Sequence, residues 1–119
     1  MIGARFIAIA LACLPAAASG QTETRCGWID NPTPANWWIV DADGEWLISL
    51  QGRGWPSEIF DIDWTGTQEW VETNVHYGYG CGCIRGVFDR ESRWLTTALT
   101  AQWIPLERCR SDPALPPRN

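Results

Sequence analysis

Seven consecutive residues, Tyr77-Gly78-Tyr79-Gly80-Cys81-Gly82-Cys83, constrain this fold more than any other stretch. In an extended strand, side chains alternate between faces. Tyr77, Tyr79, Cys81 and Cys83 therefore point one way, and Gly78, Gly80 and Gly82 the other. A strand face of three glycines packs nothing of its own and loses much conformational entropy on folding. Such a face makes sense where something large lies flat on it. The chain carries nine Trp, and aromatic side chains are known covers for strand glycines. The competing reading of the run is a Gly-rich loop.

The same alternation limits the disulfides. Cys81 and Cys83 point the same way with Cα atoms ~6.5 Å apart, near the upper limit for a bridge, and a Cys-Gly-Cys ring would be strained. Each is therefore expected to bond elsewhere, one to Cys26 and one to Cys109, with the connectivity left open. A redox-active Cys81/Cys83 dithiol is an alternative. A four-Cys zinc site ranks below it, because paired C-x-x-C spacing is missing.

The compartment bears on that choice. Residues 1–20 read as a secretory signal peptide: Arg5, then an apolar run from Phe6 to Leu14, then Pro15 and the small residues Ala16, Ala17, Ala18, Ser19 and Gly20. Nine apolar residues are too few for a membrane-spanning helix, which needs ~20. The order Ala10, Leu11, Ala12 before Cys13 departs from a lipid-attachment site. Cleavage after Ala18 or Gly20 leaves an even set of four Cys in an exported chain, which favours structural disulfides. A periplasmic or secreted location follows, with no stable membrane anchor after cleavage.

The remainder reads as one small β domain over 21–112, with a flexible Pro-rich tail over 113–119. No window holds a helical apolar period long enough for a helix. Trp37 to Val40, the turn Asp41-Ala42-Asp43-Gly44 and the alternating stretch Glu45 to Gln51 form one hairpin. Tyr77 to Phe88, the turn Asp89 to Ser92 and Arg93 to Ile104 form a second, with Leu95, Leu99, Ala101 and Trp103 sharing a face. Between them, Ile59, Phe60 and Ile62 suggest a short strand, and Thr65 to Gln68 a cap on one helical turn holding Trp70 and Val71. Asn31-Pro32-Thr33-Pro34 reads as an extended loop. The expected fold is all-β with at most one short helical turn: a disulfide-stapled antiparallel sheet or partly open barrel built from hairpins.

Composition narrows the chemistry. All nine basic residues are Arg, which removes Schiff-base and lysine-base catalysis. The single His76 excludes a multi-His metal site, and no nucleophile motif accompanies it. Asp41, Asp43, Glu45, Glu58, Asp61, Asp63, Glu69 and Glu72 face one base, Arg53, over residues 41–72. With a formal net charge of −5 and no basic stripe, the chain is a poor ligand for nucleic acid. The Asp41–Glu45 stretch lacks the later ligands of an EF-hand loop. Glu58, Asp61 and Asp63 read as a solvated acidic face rather than an acid/base pair.

Nine Trp are more than one small core hides completely. Trp37 and Trp38 face opposite sides of their strand, and Trp94 lies on a polar side beside Thr96. With Tyr77 and Tyr79 these are the candidate binding surface.

Three blocks carry a family resemblance. Arg25-Cys26-Gly27-Trp28 with Asn31-Pro32-Thr33-Pro34-Ala35-Asn36-Trp37-Trp38 and Asp43-Gly44-Glu45-Trp46 resembles the opening of the bacterial family called domain of unknown function 4087. Trp70-Val71-x-Thr73-Asn74 followed by the Tyr77–Cys83 run is similar to its centre, and Pro105-Leu106-x-x-Cys109-Arg110-x-Asp112 to its end. The stretch Gln51-Gly52-Arg53-Gly54 departs from the pattern. The resemblance implies a small exported bacterial domain and no activity.

These readings give an exported cell-envelope protein with a non-enzymatic binding or inhibitor-like role and no cofactor. Its partner is expected to be an envelope protein or an envelope glycan. The alternatives are a carbohydrate or peptidoglycan binder using exposed Trp, and a thiol-redox or metal-handling protein using Cys81 and Cys83.

Overall fold

The structure, a computed structural model, describes Gly3, residues 20–53 and residues 58–118. Apart from Gly3 and Gly20, the expected leader lies outside the described residues, as does Trp55. Seven strands and one helix follow in order: β1 Thr22–Thr33, β2 Asn36–Asp41, β3 Gly44–Ser49, β4 Trp64–Thr65, β5 Val71–Asn74, β6 Tyr77–Asp89, β7 Trp94–Ile104 and α1 Leu106–Arg110.

The sheet order is β4-β7-β3-β2-β1-β6-β5, and β6 also pairs with β7. The hydrogen bonding of β1, β2, β3, β7 and β6 thus returns on itself as a ring. It is thinnest between β3 and β7, a parallel contact with the single register pair Leu47↔Trp94. The strongest seam is β1 against β6, antiparallel and in unbroken register from Thr22↔Val87 to Asn31↔Gly78. The fold is mostly β, as the hairpin pattern implies.

Both expected hairpins form. In the first, the Asp41 carboxylate accepts the backbone N–H of Asp43 at 2.9 Å, and Gly44 supplies a φ of 109° that other residues rarely adopt. The Gly-rich run is the strand β6. Trp103 and Trp70 lie over Gly80, where an added Cβ would meet their rings at 3.0 and 3.1 Å, and the Ile29 side chain fills the space over Gly82. The flat strand face therefore exists to seat large neighbours.

Five local expectations are corrected. The Ile59–Ile62 stretch is a turn rather than a strand, with Ile59 buried and its carbonyl accepting the Trp64 indole N–H at 3.0 Å. No helical turn holds Trp70; that stretch supplies β4 and β5. Gly66 has a φ of 80°, and its Cα lies so close to the Trp103 carbonyl that a Cβ would sit 2.2 Å from it. Asn31 to Thr33 is the end of β1 and not a loop. Leu99 is 43% exposed and off the core face. Register shifts in β6–β7 skip Thr96 and Leu99, so Leu95, Ala98 and Ala101 face inward instead. Such bulges reset the alternation.

The fifth correction concerns the tail. Leu115 is buried, the Pro116 carbonyl accepts the Trp28 indole N–H at 2.8 Å, and Arg118 pairs with Asp30 at 2.7 Å. Residues 115–118 are therefore packed rather than frayed.

Two hydrophobic clusters lie on opposite sides of β1. Ile29, Ile39, Trp46, Ile48, Ile59, Ile84, Phe88, Leu95, Ala98 and Ala101 form the main core. Trp28, Tyr79, Cys81, Leu106, Cys109 and Leu115 form the second, beneath α1 and the segment that follows it. β1 is covered on both faces, so its central residues from Gly27 to Asn31 are all buried.

Candidate binding surfaces

The disulfides join Cys26 to Cys83 and Cys81 to Cys109. Cys26 and Cys83 are direct register partners across β1 and β6, with Cα atoms 4.0 Å apart. Cys81 reaches instead to α1, with a Cα separation of 5.9 Å. The Cys-Gly-Cys pair thus sends two staples to two different elements. Cys81 and Cys109 are buried, whereas Cys26 is exposed and Cys83 half-buried.

The candidate aromatic residues do not share one surface. Tyr79 is only 5% exposed and packs edge-on to Trp28 at 5.3 Å, so it belongs to the second core and not to a surface. Its strand face is the one covered by α1. Trp38 is half-buried and donates its indole N–H to Asp30 at 2.9 Å. Tyr77 is half-buried beside the His76 ring, with centroids 4.3 Å apart. Trp94 is half-buried at the β3–β7 contact.

Trp37 alone joins a larger aromatic assembly. Its ring lies 5.2 Å from Phe60 and 6.0 Å from Trp70. Trp70 meets Trp103 at 5.9 Å, and Trp103 stacks on Trp64 at 4.4 Å. The result is a continuous strip, Phe60–Trp37–Trp70–Trp103–Trp64, drawn from three chain segments: β2, the 58–72 stretch and β7. The four Trp are half-buried and Phe60 is 46% exposed. Trp37, Trp64 and Trp103 also pack on the main core. The segment that carries Phe60, Trp64 and Trp70 also carries exposed Glu58, Asp61, Asp63, Glu69 and Glu72. Sequence reasoning missed Phe60, Trp64, Trp70 and Trp103 as surface members. The glycine face of β6 was the available signal, since Trp70 and Trp103 are its cover.

A cleft of about 410 Å³ is lined by Thr24, Asp63, Thr65, Cys83, Arg85 and Gln102 among others. Thr65 and Gln102 are register partners. Strand alternation puts them on the side opposite the stacked pair Trp64–Trp103, so cleft and strip are separate surfaces.

A third assembly surrounds Arg25, which is 6% exposed. Its guanidinium pairs with Glu23, with Asp41 at 2.8 Å and with Asp43 at 2.8 Å. It also lies 4.0 Å over the Trp46 ring, and Arg93 lies 3.7 Å from the same ring. Asp41 accepts the Trp46 indole N–H at 3.0 Å as well. Burial alone would lower the Arg25 pKa, but the hydrogen bonds it donates to Asp41 and Asp43 hold it above its ordinary value. The hydrogen bond from Arg25 holds the Asp43 carboxyl below the usual range. The two Nη groups of Arg25 are paired, while its Nε is buried with no hydrogen-bond partner among the described residues. The pairs tie the β2–β3 turn to β1, so the assembly is a brace.

Among the described residues no cluster of three or more His, Cys, Asp or Glu is arranged to hold a metal ion. Among them, too, no helix is long and apolar enough to cross a membrane.

Comparison with known proteins gives one family. Neither the curated proteins nor the solved structures contain a match to the chain. The family model described as "Protein of unknown function (DUF4087)" matches residues 20–116, from the start of the described domain through the Pro116 that meets Trp28. The chain therefore belongs to the DUF4087 family.

Proposed function

We propose that this protein is an exported, non-enzymatic binding module that docks a protein of the cell envelope through the strip Phe60–Trp37–Trp70–Trp103–Trp64. The observation that carries the reading is the strip itself: a continuous run of half-exposed rings held by the core on one side. Aromatic side chains dominate protein interfaces because they bury large area at little entropic cost. The acids on the 58–72 segment suit a partner with a basic rim. Two disulfides are compatible with an oxidising compartment.

Ring geometry favours a protein over a glycan. Sugar binding needs a flat ring face open to the ligand. Here Trp64 and Trp103 spend faces on each other, 25° from parallel, and Trp37 is tilted 64° to Phe60 and 39° to Trp70. An uneven apolar surface of this kind matches protein side chains better than a planar sugar.

A photo-crosslinking residue at position 60 tests the reading in envelope extracts, with one at the 78% exposed Val75 as the control. A discrete protein adduct from position 60 and none from 75 is expected. Equal labelling from both positions would defeat the proposal. So would a change in Trp emission on adding envelope glycans together with no adduct.

A further inference from the structure

On the other side of β1, residues 115–118 cross Trp28 and Tyr79. We propose that the groove formed by Trp28, Tyr79 and Asp30 recognises an extended proline-rich segment bearing an arginine, and that a partner protein supplies such a segment when residues 115–118 of this chain vacate the groove. The site goes beyond the docking strip, since it sits on the second hydrophobic cluster and shares no residue with the strip.

The occupant in cis shows what the groove reads. The Trp28 indole N–H donates to the Pro116 carbonyl at 2.8 Å. Two residues on, Arg118 Nη2 donates to Asp30 Oδ2 at 2.7 Å. The Arg118 guanidinium lies 5.9 Å from the Trp28 ring and 5.6 Å from the Tyr79 ring, within range of cation–π attraction. Pro116 and Pro117 bring no N–H groups, so neither sets an unpaired donor against the aromatic surface. An aromatic groove that takes an extended proline segment is a recurring recognition mode.

The groove also carries a demand of its own. Asp30 is 5% exposed. Besides Arg118, its carboxylate accepts the Trp38 indole N–H. A buried carboxylate needs a cationic partner, and an incoming arginine meets that need. Beside Leu115 lies an open depression of about 240 Å³ lined by Gly27, Ile104, Cys109 and Asp112. Departure of 115–118 leaves α1 in place, because Cys109 ties that helix to Cys81. While tethered, the cis segment competes at an effective concentration on the order of millimolar.

The test uses the full chain with Arg118→Glu, which weakens the cis segment. The probe is a fluorescent acetyl-Asp-Pro-Ala-Leu-Pro-Pro-Arg amide peptide, followed by anisotropy. The peptide is expected to bind the variant at least about tenfold more tightly than wild type, whose own segment competes. A peptide with Glu in place of Arg is expected to bind neither. A folded variant that binds no better than wild type would overturn the proposal, as would equal binding of the Glu peptide. If the variant fails to fold by circular dichroism, wild type is titrated to millimolar peptide while the indole N–H resonances are recorded. Shifts at Trp28 and Trp38 support the site, and unmoved resonances overturn it. Dimers of wild type that the peptide does not dissociate would assign the groove to a second copy and also overturn it.

Discussion

Trp28 and Ile29 are adjacent in β1, both fully buried, and serve different hydrophobic clusters. One strand therefore joins the main core to the cover made by α1 and residues 115–118. Ile29→Ala is expected to cost about 2–5 kcal/mol, the range for core truncations that leave a cavity. Trp28→Phe keeps an aromatic ring but removes the pyrrole half of the indole with its donor to Pro116, and about 1–3 kcal/mol is expected for it. Urea unfolding measures both. A Trp28→Phe loss as large as that of Ile29→Ala would show that the two sides are not separable.

The staples differ in accessibility. Cys26 is exposed, whereas Cys81 and Cys109 are buried. Mild phosphine followed by alkylation and peptide mapping is expected to label Cys26 and Cys83 first. Bridging residues 57 and 28 apart in sequence, the two staples contribute about 4 kcal/mol each in the chain-entropy model. Full reduction is therefore expected to unfold the domain, since total stability of such a domain is about 5–15 kcal/mol. A reduced protein with an unchanged urea midpoint would contradict this.

Gly80→Val tests the glycine face of β6. The new side chain would meet Trp103 and Trp70 at contact distances their rings must yield to. Overpacking of this kind costs about 1–3 kcal/mol. A changed near-ultraviolet circular dichroism spectrum is expected with it, because those rings belong to the strip. An unchanged spectrum would mean the rings have room to move.

Acid titration separates two carboxylates of opposite sign. The Arg25 hydrogen bond lowers the folded-state pKa of Asp43. Its contribution is thus present above the unfolded value, ~3.9, and is lost as pH falls through the lower folded value. Burial raises the Asp30 pKa, outweighing the opposing Arg118 charge and the hydrogen bonds from Arg118 and Trp38. The folded protein holds that proton more tightly, so its stabilisation is present below ~3.9 and lost as pH rises through the raised folded value. Relative to wild type, Asp30→Asn is expected to gain thermal stability as pH rises from 3 towards 7, and Asp43→Asn to lose it. Gaps in Tm that stay constant with pH would refute both assignments.

What the sequence made legible was local. The Asp41–Gly44 and Asp89–Ser92 turns name their hairpins through short-range turn chemistry, and strand alternation in β6 puts Gly80 under a ring. What it hid was long-range. The inward set of β7 depends on bulges at Thr96 and Leu99 that only pairing with β6 reveals. The strip needs Trp64 beside Trp103, a contact made by parallel pairing of β4 with β7. The tail looked free because its anchors, Trp28 and Asp30, lie 88 residues away in sequence. The sequence suggests its one helical turn at Trp70 and Val71, yet Pro105 followed by Leu106 and Cys109, with Glu107 early and Arg108 and Arg110 late, carries the start and charge signals of α1.

The docking role of the strip is tested most directly by the affinity of the protein captured from position 60. Purified wild type and Phe60→Asp are titrated with it by calorimetry, after urea unfolding has shown equal stability. A charge placed among interface aromatics typically removes ~2 kcal/mol or more, so binding at least about tenfold weaker is expected for Phe60→Asp. Equal affinity for the two proteins would contradict docking through Phe60, Trp37, Trp70, Trp103 and Trp64.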